Sequence, residues 1–212
     1  MGALVTLGGL AAASASGFGG AHASRHTSRA VARQVSHNSP QADSDRAERG
    51  LCRPAVGTAG YANPLTAAQV RPERIDQGVD YAGSGTLTAI GAGRVTYVGT
   101  SETGWPGAFI EYRLLRGADA GCYVYYAEGV TPAPGLHAGE TVDAGEALAT
   151  IIRGYPTGTE IGWAAGSGTK TYAAATGGWT SGEDQDNVAS AAGQSFSALI
   201  GALGGPTGKV EG

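Results

Sequence analysis

Residues 108–128, with the sequence AFIEYRLLRGADAGCYVYYAE, determine the expected fold. Apolar and polar side chains alternate in residues 108–114 and again in residues 122–127. A period of two is typical of a β-strand, because successive side chains point to opposite faces of the sheet. Gly117 and Gly121 bracket the residues between the two segments and favour a turn there. We therefore predict two consecutive strands joined by a tight connection.

Short segments of the same kind lie on both sides of this pair. Turn-forming residues separate them, and about ten residues pass from one strand to the next, a spacing typical of an antiparallel sandwich or barrel. The predicted strands are residues 87–90, 94–98, 108–114, 122–127, two strands within 139–152, and 160–164. The predicted fold class is therefore mainly β, an antiparallel sandwich or barrel.

The region that follows the strands has a different pattern. Apolar residues in the segment 189–203 recur at positions i, i+3, i+4 and i+7, which predicts an amphipathic helix. These residues are Phe196, Leu199, Ile200 and Leu203. The sequence Gly-Gly-Pro at 204–206 is typical of a helix end. We expect this helix to pack on the sheet.

Composition and charge exclude several classes of protein. Charged residues make up only 15% of the chain and glycine contributes 37 of its 212 residues, which excludes a disordered polyelectrolyte and a coiled coil. Residues 51–212 carry fifteen acidic and nine basic side chains. An acidic domain repels phosphate backbones, so nucleic acid is not an expected partner.

The first 23 residues resemble a secretory signal in composition. Residues 2–23 carry no charge and end in Ala-His-Ala, a small-x-small cleavage pattern. The positively charged start of a signal peptide is missing, which leaves a small-residue linker or a membrane anchor as alternatives. An anchor needs ~20 strongly apolar residues, whereas glycine, serine and alanine dominate here. We expect a secreted or cell-envelope-associated protein with no stable membrane span, a flexible leader at 24–50 and an arm at 51–71.

The chain has two cysteines, Cys52 in the arm and Cys122 on a predicted strand. In an oxidising compartment an even pair is a candidate disulfide, and this one would tie the arm to the domain. Two buried thiols are the alternative. Neither cysteine lies in a motif typical of a zinc site.

Several short motifs occur in an order that resembles the lysostaphin-type peptidoglycan endopeptidases, a zinc metallopeptidase family with the duplicated-hybrid-motif fold. The motifs are RIDQGVD (74–80), GTLTAIGAGRV (85–95), YAE (126–128), GETVDAGEAL (139–148) and TGTEIGWA (157–164). The resemblance covers residues 72–165, and residues 166–212 form a C-terminal extension. It implies a β fold of that type and a partner in peptidoglycan or another glycan or peptide of the envelope.

This chain departs from the family's motifs at the positions that carry the family's zinc ligands and catalytic histidines. In the family two histidines and an aspartate hold zinc, and two further histidines serve the reacting water and the transition state. By the resemblance, these five positions correspond to Asp76, Asp80, Gly162, Glu128 and Glu160. The four histidines of the chain lie elsewhere, at 22, 26, 37 and 137. Glycine supplies no side-chain ligand, so zinc is not expected, and the metal-activated water of the peptidase mechanism is in doubt.

Four carboxylates are instead expected to meet in one cleft and are the candidate catalytic residues: Asp76, Asp80, Glu128 and Glu160. Such a group cannot stay fully ionised unless a cation neutralises it, so otherwise some of the pKa values rise. Ca²⁺ or Mg²⁺ would suit it better than zinc. A protonated acid beside an ionised partner is what glycoside hydrolysis uses. Arg74 or Arg94 could instead form a structural ion network with the carboxylates.

Aromatic residues near these motifs are candidates for binding a sugar through their ring faces. Tyr126 and Trp163 are the candidate substrate-binding residues, with Tyr81 and Trp105 as further ones, although strand aromatics more often belong to the core.

Three functions remain open. The first is binding of peptidoglycan or another envelope component without cleavage. The second is hydrolysis by the carboxylates, on a glycan or with a hard metal ion, and the third is a β-barrel interaction module with no envelope role.

Overall fold

The computed structural model describes residues 54–55, 57–180 and 188–211. They belong to one compact unit, residues 38–212. The described part contains nine strands: β1 (Ala68–Ile75), β2 (Val79–Thr88), β3 (Gly93–Gly99), β4 (Ala108–Leu114), β5 (Tyr123–Glu128), β6 (Val130–Pro132), β7 (Thr141–Val142), β8 (Ala147–Ile151) and β9 (Thr159–Ala164). Two helices follow, α1 (Tyr172–Ala175) and α2 (Ala191–Ala202). The predicted class, mainly β with a C-terminal helix, is confirmed.

The strands of the described residues form one connected sheet. Its order is β6-β8-β2-β9-β5-β4-β3-β7, and β1 pairs with β2 off this path. Each pairing of strands in this sheet is antiparallel. The first three residues of β2, Val79 to Tyr81, pair with β9. Strand β9 also pairs with β5, so these three strands lie side by side.

Two hydrophobic clusters lie on opposite faces of the central strands, as the period of two requires. On β5, Val124 and Tyr126 belong to the larger cluster, whereas Tyr125 and Ala127 belong to the smaller one. On β9, Ile161 and Trp163 also face the larger cluster, which α2 covers with Phe196, Leu199 and Ile200. Glu160 of β9 therefore shares a face with Tyr125.

Helix α2 and the segment after it position the turn between β1 and β2. Ser190 caps α2 through its side chain, and its backbone N–H donates to the carbonyl of Asp76 (2.9 Å). A Cβ atom at Gly193 would lie 2.6 Å from that same carbonyl oxygen, so the helix approaches the turn closely. The N–H of Ile75 donates to the carbonyl of Lys209 (2.8 Å), and that of Lys209 to the carbonyl of Glu73 (2.7 Å).

Two strands and one short helix lie outside the predicted elements. Strand β1 begins at Ala68, within the segment predicted as an arm, and β6 and α1 were not expected. Strand β2 begins at Val79, well before the predicted residues 87–90. Neither described helix is long and apolar enough to cross a membrane.

Candidate functional site

The register of the sheet brings three acidic side chains together. Asp80 on β2 lies directly opposite Glu160 on β9. Asp76 belongs to the turn that connects β1 to β2. One carboxylate oxygen from each of the three residues lies within 4.8 Å of the others, and all three residues are buried. We call Asp76, Asp80 and Glu160 the acidic cluster.

Arg74 at the end of β1 supplies a positive charge to the acidic cluster. Its Nε donates to Oδ2 of Asp80 at 2.7 Å, and its Nη2 lies 3.5 Å from Oδ2 of Asp76. The backbone N–H of Gly78 also donates to Asp76, at 3.3 Å. The expected ion network therefore exists with Arg74, whereas Arg94 is exposed on β3.

Burial changes the ionisation of the acidic cluster. It is the largest cause of a raised pKa at Asp80, to about 8, and the negative charge of Asp76 adds to it while Arg74 opposes it. Burial likewise raises the pKa of Glu160 well above its ordinary value, with the charges of Asp76 and Asp80 as further causes. The pKa of Asp76 is raised by burial as well. One guanidinium does not balance three carboxylates, so the cluster retains protons near neutral pH.

Tyr125 fills the place next to Glu160 on the same face of the sheet. Its hydroxyl donates to Oε1 of Glu160, and both side chains are buried. A Cβ atom at Gly162 would lie 2.8 Å from Cε1 of the Tyr125 ring and 2.9 Å from Cα of Gly78. A side chain at position 162 would therefore need the space that the Tyr125 ring occupies.

Glu128 lies near the acidic cluster but outside it. It ends β5 with a φ of 69°, a left-handed conformation that is rare for glutamate and that clusters at functional sites. The residue is 8% exposed, and burial raises the pKa of its carboxyl, with the charge of Asp76 acting in the same direction. The structure thus brings three of the four predicted carboxylates into one cluster and places the fourth on the wall of the adjoining pocket.

This pocket, which we call the Trp pocket, encloses about 500 Å³. Asp76, Glu128 and Glu160 line it, together with Arg74. The rest of its wall includes Gln77, Trp105, Thr169, Lys170, Thr171 and Trp179. The volume and the mixture of aromatic and polar groups are typical of a small-ligand site.

A second pocket, which we call the Arg pocket, encloses about 540 Å³. It shares Arg74 with the Trp pocket, and Asp80 also lines it. Its other lining residues include Arg71, Glu73, Thr157 and Lys209. The acidic cluster therefore contacts both pockets, with Arg74 between them.

The prediction that Tyr126 and Trp163 offer rings to a substrate is wrong. Both side chains are at most 1% exposed and face the larger hydrophobic cluster. Tyr126 donates its hydroxyl to the carbonyl of Thr88, and Trp163 packs edge-on against Phe196. Tyr81 is fully buried as well. Trp105 alone of the four candidate rings lines the Trp pocket.

Sequence reasoning missed Tyr125 and Trp179. The parity of Glu128 would have favoured Tyr126, because positions 126 and 128 share a face of a regular strand. The register that pairs Ala127 with Glu160 and Tyr125 with Gly162 places Tyr125 on the face of Glu160, and this register is not readable from the sequence alone. Trp179 lies beyond the motifs that carried the resemblance, and no local pattern marks it.

The remaining candidates for metal or redox chemistry lie apart from this site. His137 is exposed on a loop and lies 3.3 Å from a carboxylate oxygen of Glu140. Cys122 is buried and disulfide-bonded. Cys52 lies outside the described residues, so the pairing of these two cysteines stays a prediction. The expected signal and leader also lie outside the described residues, whereas most of the arm lies within them.

The donor set of the acidic cluster is of one chemical type. Among the described residues, the group that could hold a metal ion consists of three carboxylates, with no histidine or cysteine. Oxygen-only ligands suit hard cations such as Ca²⁺ and Mg²⁺, whereas catalytic zinc takes histidine-rich sets. The residues present therefore do not fit the zinc site that the resemblance implies.

Comparison with known proteins gives matches only among solved structures. No family model and no curated protein matches the sequence. The solution structure of lysostaphin is similar over 50% of this chain, with 18% identity and a TM-score of 0.37. A peptidase M23 from Pseudomonas aeruginosa matches 66% of this chain and 61% of its own, with 11% identity and a TM-score of 0.39. A SpoIIQ–SpoIIIAH complex matches 50% of this chain and 84% of its own, with 12% identity and a TM-score of 0.37.

The matched region is limited. This chain spans 46% of the lysostaphin chain. The resemblance to lysostaphin-type peptidases that the sequence motifs suggested is thus also found among solved structures, at low identity.

Proposed function

We propose that this chain is a secreted, envelope-associated protein that binds peptidoglycan or another envelope component and has no zinc-dependent peptidase activity. The observation that carries this proposal is the replacement of a metal site by an ion network. Arg74 lies 2.7 Å from Asp80, and the Tyr125 ring occupies the space at Gly162. What remains is a cleft with an intact pocket and no histidine in its acidic cluster.

The burial of the acidic cluster supports binding rather than metal-assisted cleavage. Asp76 and Asp80 are each 3% exposed and Glu160 is 2% exposed, so little of the cluster is open to a reacting water. The guanidinium of Arg74 and the retained protons already offset its charge. The pocket beside it remains open to a ligand and offers both rings and hydrogen-bonding groups.

Export of the chain is supported by its cysteine chemistry. Cys122 is disulfide-bonded, and structural disulfides persist in oxidising compartments outside the cytosol. The small-residue segment that precedes Ser24 is the expected signal, and its removal is testable by sequencing the amino terminus of the secreted protein.

The test is co-sedimentation of the full chain with insoluble peptidoglycan, followed by mass spectrometry of the soluble fraction. We expect the protein to sediment with peptidoglycan and to release no fragments with or without added Zn²⁺. A Glu128→Gln variant should sediment less, whereas His137→Ala, which changes an exposed loop, should behave like the parent protein. New amino termini in the cross-bridges would show peptidase activity and contradict the proposal.

A carboxylate-based hydrolase is the second candidate function, and the ionisation of Glu160 favours it. A buried acid that keeps its proton beside a second carboxyl group is the arrangement of a general acid. This function predicts new reducing ends in digested peptidoglycan and their loss in Glu160→Gln. Intact glycan strands after incubation at pH 5 to 8, with and without Ca²⁺ or Mg²⁺, would exclude it.

A further inference from the structure

We infer that the Trp pocket holds a pyranose ring of an envelope glycan, stacked on its indole rings. This inference rests on the proposed function, because it names the part of the envelope component that the pocket recognises. It is argued from the two tryptophans, the polar wall and the hydrogen-bonding groups of the pocket floor.

Trp105 is held in place before any ligand arrives. Its Nε1–H donates to the carbonyl of Thr169 at 2.9 Å. Its ring packs against Phe109 and Tyr125, with ring centroids 5.4 and 5.7 Å away. The side chain is nevertheless only half-buried and lines the pocket. A rigid aromatic surface costs little conformational entropy when a ligand stacks on it.

Trp179 adds a second ring and an unused hydrogen-bond donor. Its ring lines the same pocket and is half-buried. Its Nε1 is buried and has no hydrogen-bond partner among the described residues. Buried donors are normally paired, and the indole nitrogen can only donate. An acceptor on the ligand, such as a hydroxyl or acetamido oxygen, would satisfy it.

The wall of the pocket carries polar groups beside the two indoles. The hydroxyl of Thr171 donates to Oε1 of Gln77 at 2.6 Å, which fixes the orientation of the Gln77 amide. Thr169 and Lys170 line the same wall. Hydroxyl and amide groups beside aromatic rings match a pyranose, whose faces are C–H surfaces and whose edges carry hydroxyls.

The floor of the pocket carries charged groups of both signs. Asp76, Glu128 and Glu160 line it, and so do Arg74 and Lys170. Carboxylate oxygens accept hydrogen bonds and the two cationic side chains donate them, so sugar hydroxyls find both kinds of partner there.

The test uses the full chain with the tetramer of N-acetylglucosamine, followed by intrinsic fluorescence and calorimetry. The chain has three tryptophans, and Trp163 is 1% exposed, so changes in quenching by acrylamide report Trp105 and Trp179. We expect the tetramer to protect the fluorescence from quenching. Trp179→Phe, which keeps a ring and loses the N–H, should weaken binding about three- to tenfold, and Trp179→Ala should weaken it further.

Two controls separate this inference from the proposed function. His137→Ala should bind the tetramer like the parent, and a purified stem peptide should not displace the tetramer. The saccharide inference is wrong if the tetramer fails to bind, or if it binds Trp179→Ala as tightly as the parent. The proposed function still stands in that case, provided that the protein sediments with peptidoglycan. A purified stem peptide that competes for the pocket would also overturn the saccharide inference. If peptidoglycan itself fails to bind, the proposed function is the part that fails.

Discussion

The pH dependence of folding stability tests the electrostatics of the acidic cluster most directly. Asp80 is 3% exposed, and burial and the charge of Asp76 raise its pKa from 3.8 to about 8. The folded protein therefore keeps a proton at Asp80 that the unfolded chain releases near pH 4. The stability that this proton provides is fully present below the unfolded pKa and is lost as the pH rises toward 8.

The expected effect is large on the scale of domain stability. One pH unit between the two pKa values corresponds to about 1.4 kcal/mol per proton, so the interval from 3.8 to about 8 corresponds to about 6 kcal/mol at most. A typical domain has a total stability of roughly 5–15 kcal/mol. The pKa values of Asp76, Glu128 and Glu160 are raised too, so these groups act in the same direction.

The informative variant is Asp80→Asn, whose amide resembles the neutral acid and can still accept a hydrogen bond from Arg74. At pH 5 its free energy of unfolding should exceed that of the parent by up to about 2 kcal/mol, because the unfolded parent chain already releases the proton of Asp80 there. The parent should then lose stability faster with rising pH, by up to about 1.4 kcal/mol per pH unit, so that the variant is more stable by a wider margin at pH 9.

The assay is chemical denaturation at pH 5, 6, 7, 8 and 9. Asp143→Asn is the matched control, because Asp143 is exposed in the turn between β7 and β8 and its change should leave the pH profile unaltered. A parent protein whose stability is flat or rises from pH 5 to pH 8 would refute the assignment of retained protons to the cluster.

Three further predictions concern the neighbours of the cluster. Tyr125→Phe removes the donor to Oε1 of Glu160 and should cost about 1–3 kcal/mol in urea denaturation; an unchanged midpoint would contradict this role. Gly162→Ala places a Cβ 2.8 Å from the Tyr125 ring and should lower stability by about 1–3 kcal/mol. Gly178→Ala is the control, because a Cβ there would meet its nearest atoms at 3.6 Å, and equal losses in the two variants would contradict the steric argument. Added Zn²⁺ should leave the thermal midpoint of unfolding unchanged, at concentrations where a bound metal ion would raise it. If the midpoint rises and Asp76→Asn abolishes the rise, the proposed absence of a zinc site is overturned.

The sheet was largely predictable because turn-forming residues separate its short, mostly apolar strand segments. Residues 108–114 coincide with β4, and the predicted strand at 160–164 lies within β9. Strand β1 escaped prediction because its sequence, AQVRPERI, contains a proline and three charged residues. It pairs with β2 despite Pro72, with an irregular register between Pro72 and Ile75. Long-range pairing thus overrode a weak local pattern.

The site was predictable in its carboxylates and not in its aromatic groups. The motif order pointed to Asp76, Asp80 and Glu160, which the pairing of β2 with β9 then brings together. The assignment of Tyr126 failed because one residue along a strand reverses the face. The contribution of Trp179 depends on how the chain after β9 folds back over the sheet, and a single sequence carries no local signal for that.

The contact between α2 and the turn at Asp76 has a consequence for biosynthesis. The backbone N–H of Ser190 donates to the carbonyl of Asp76, and Lys209 forms backbone hydrogen bonds with Glu73 and Ile75 of β1. These partners are separated from the turn by more than a hundred residues of chain. During translation the turn emerges from the ribosome long before them, so its hydrogen bonds to Ser190 and those of β1 to Lys209 can form only after residues 190–209 have been released.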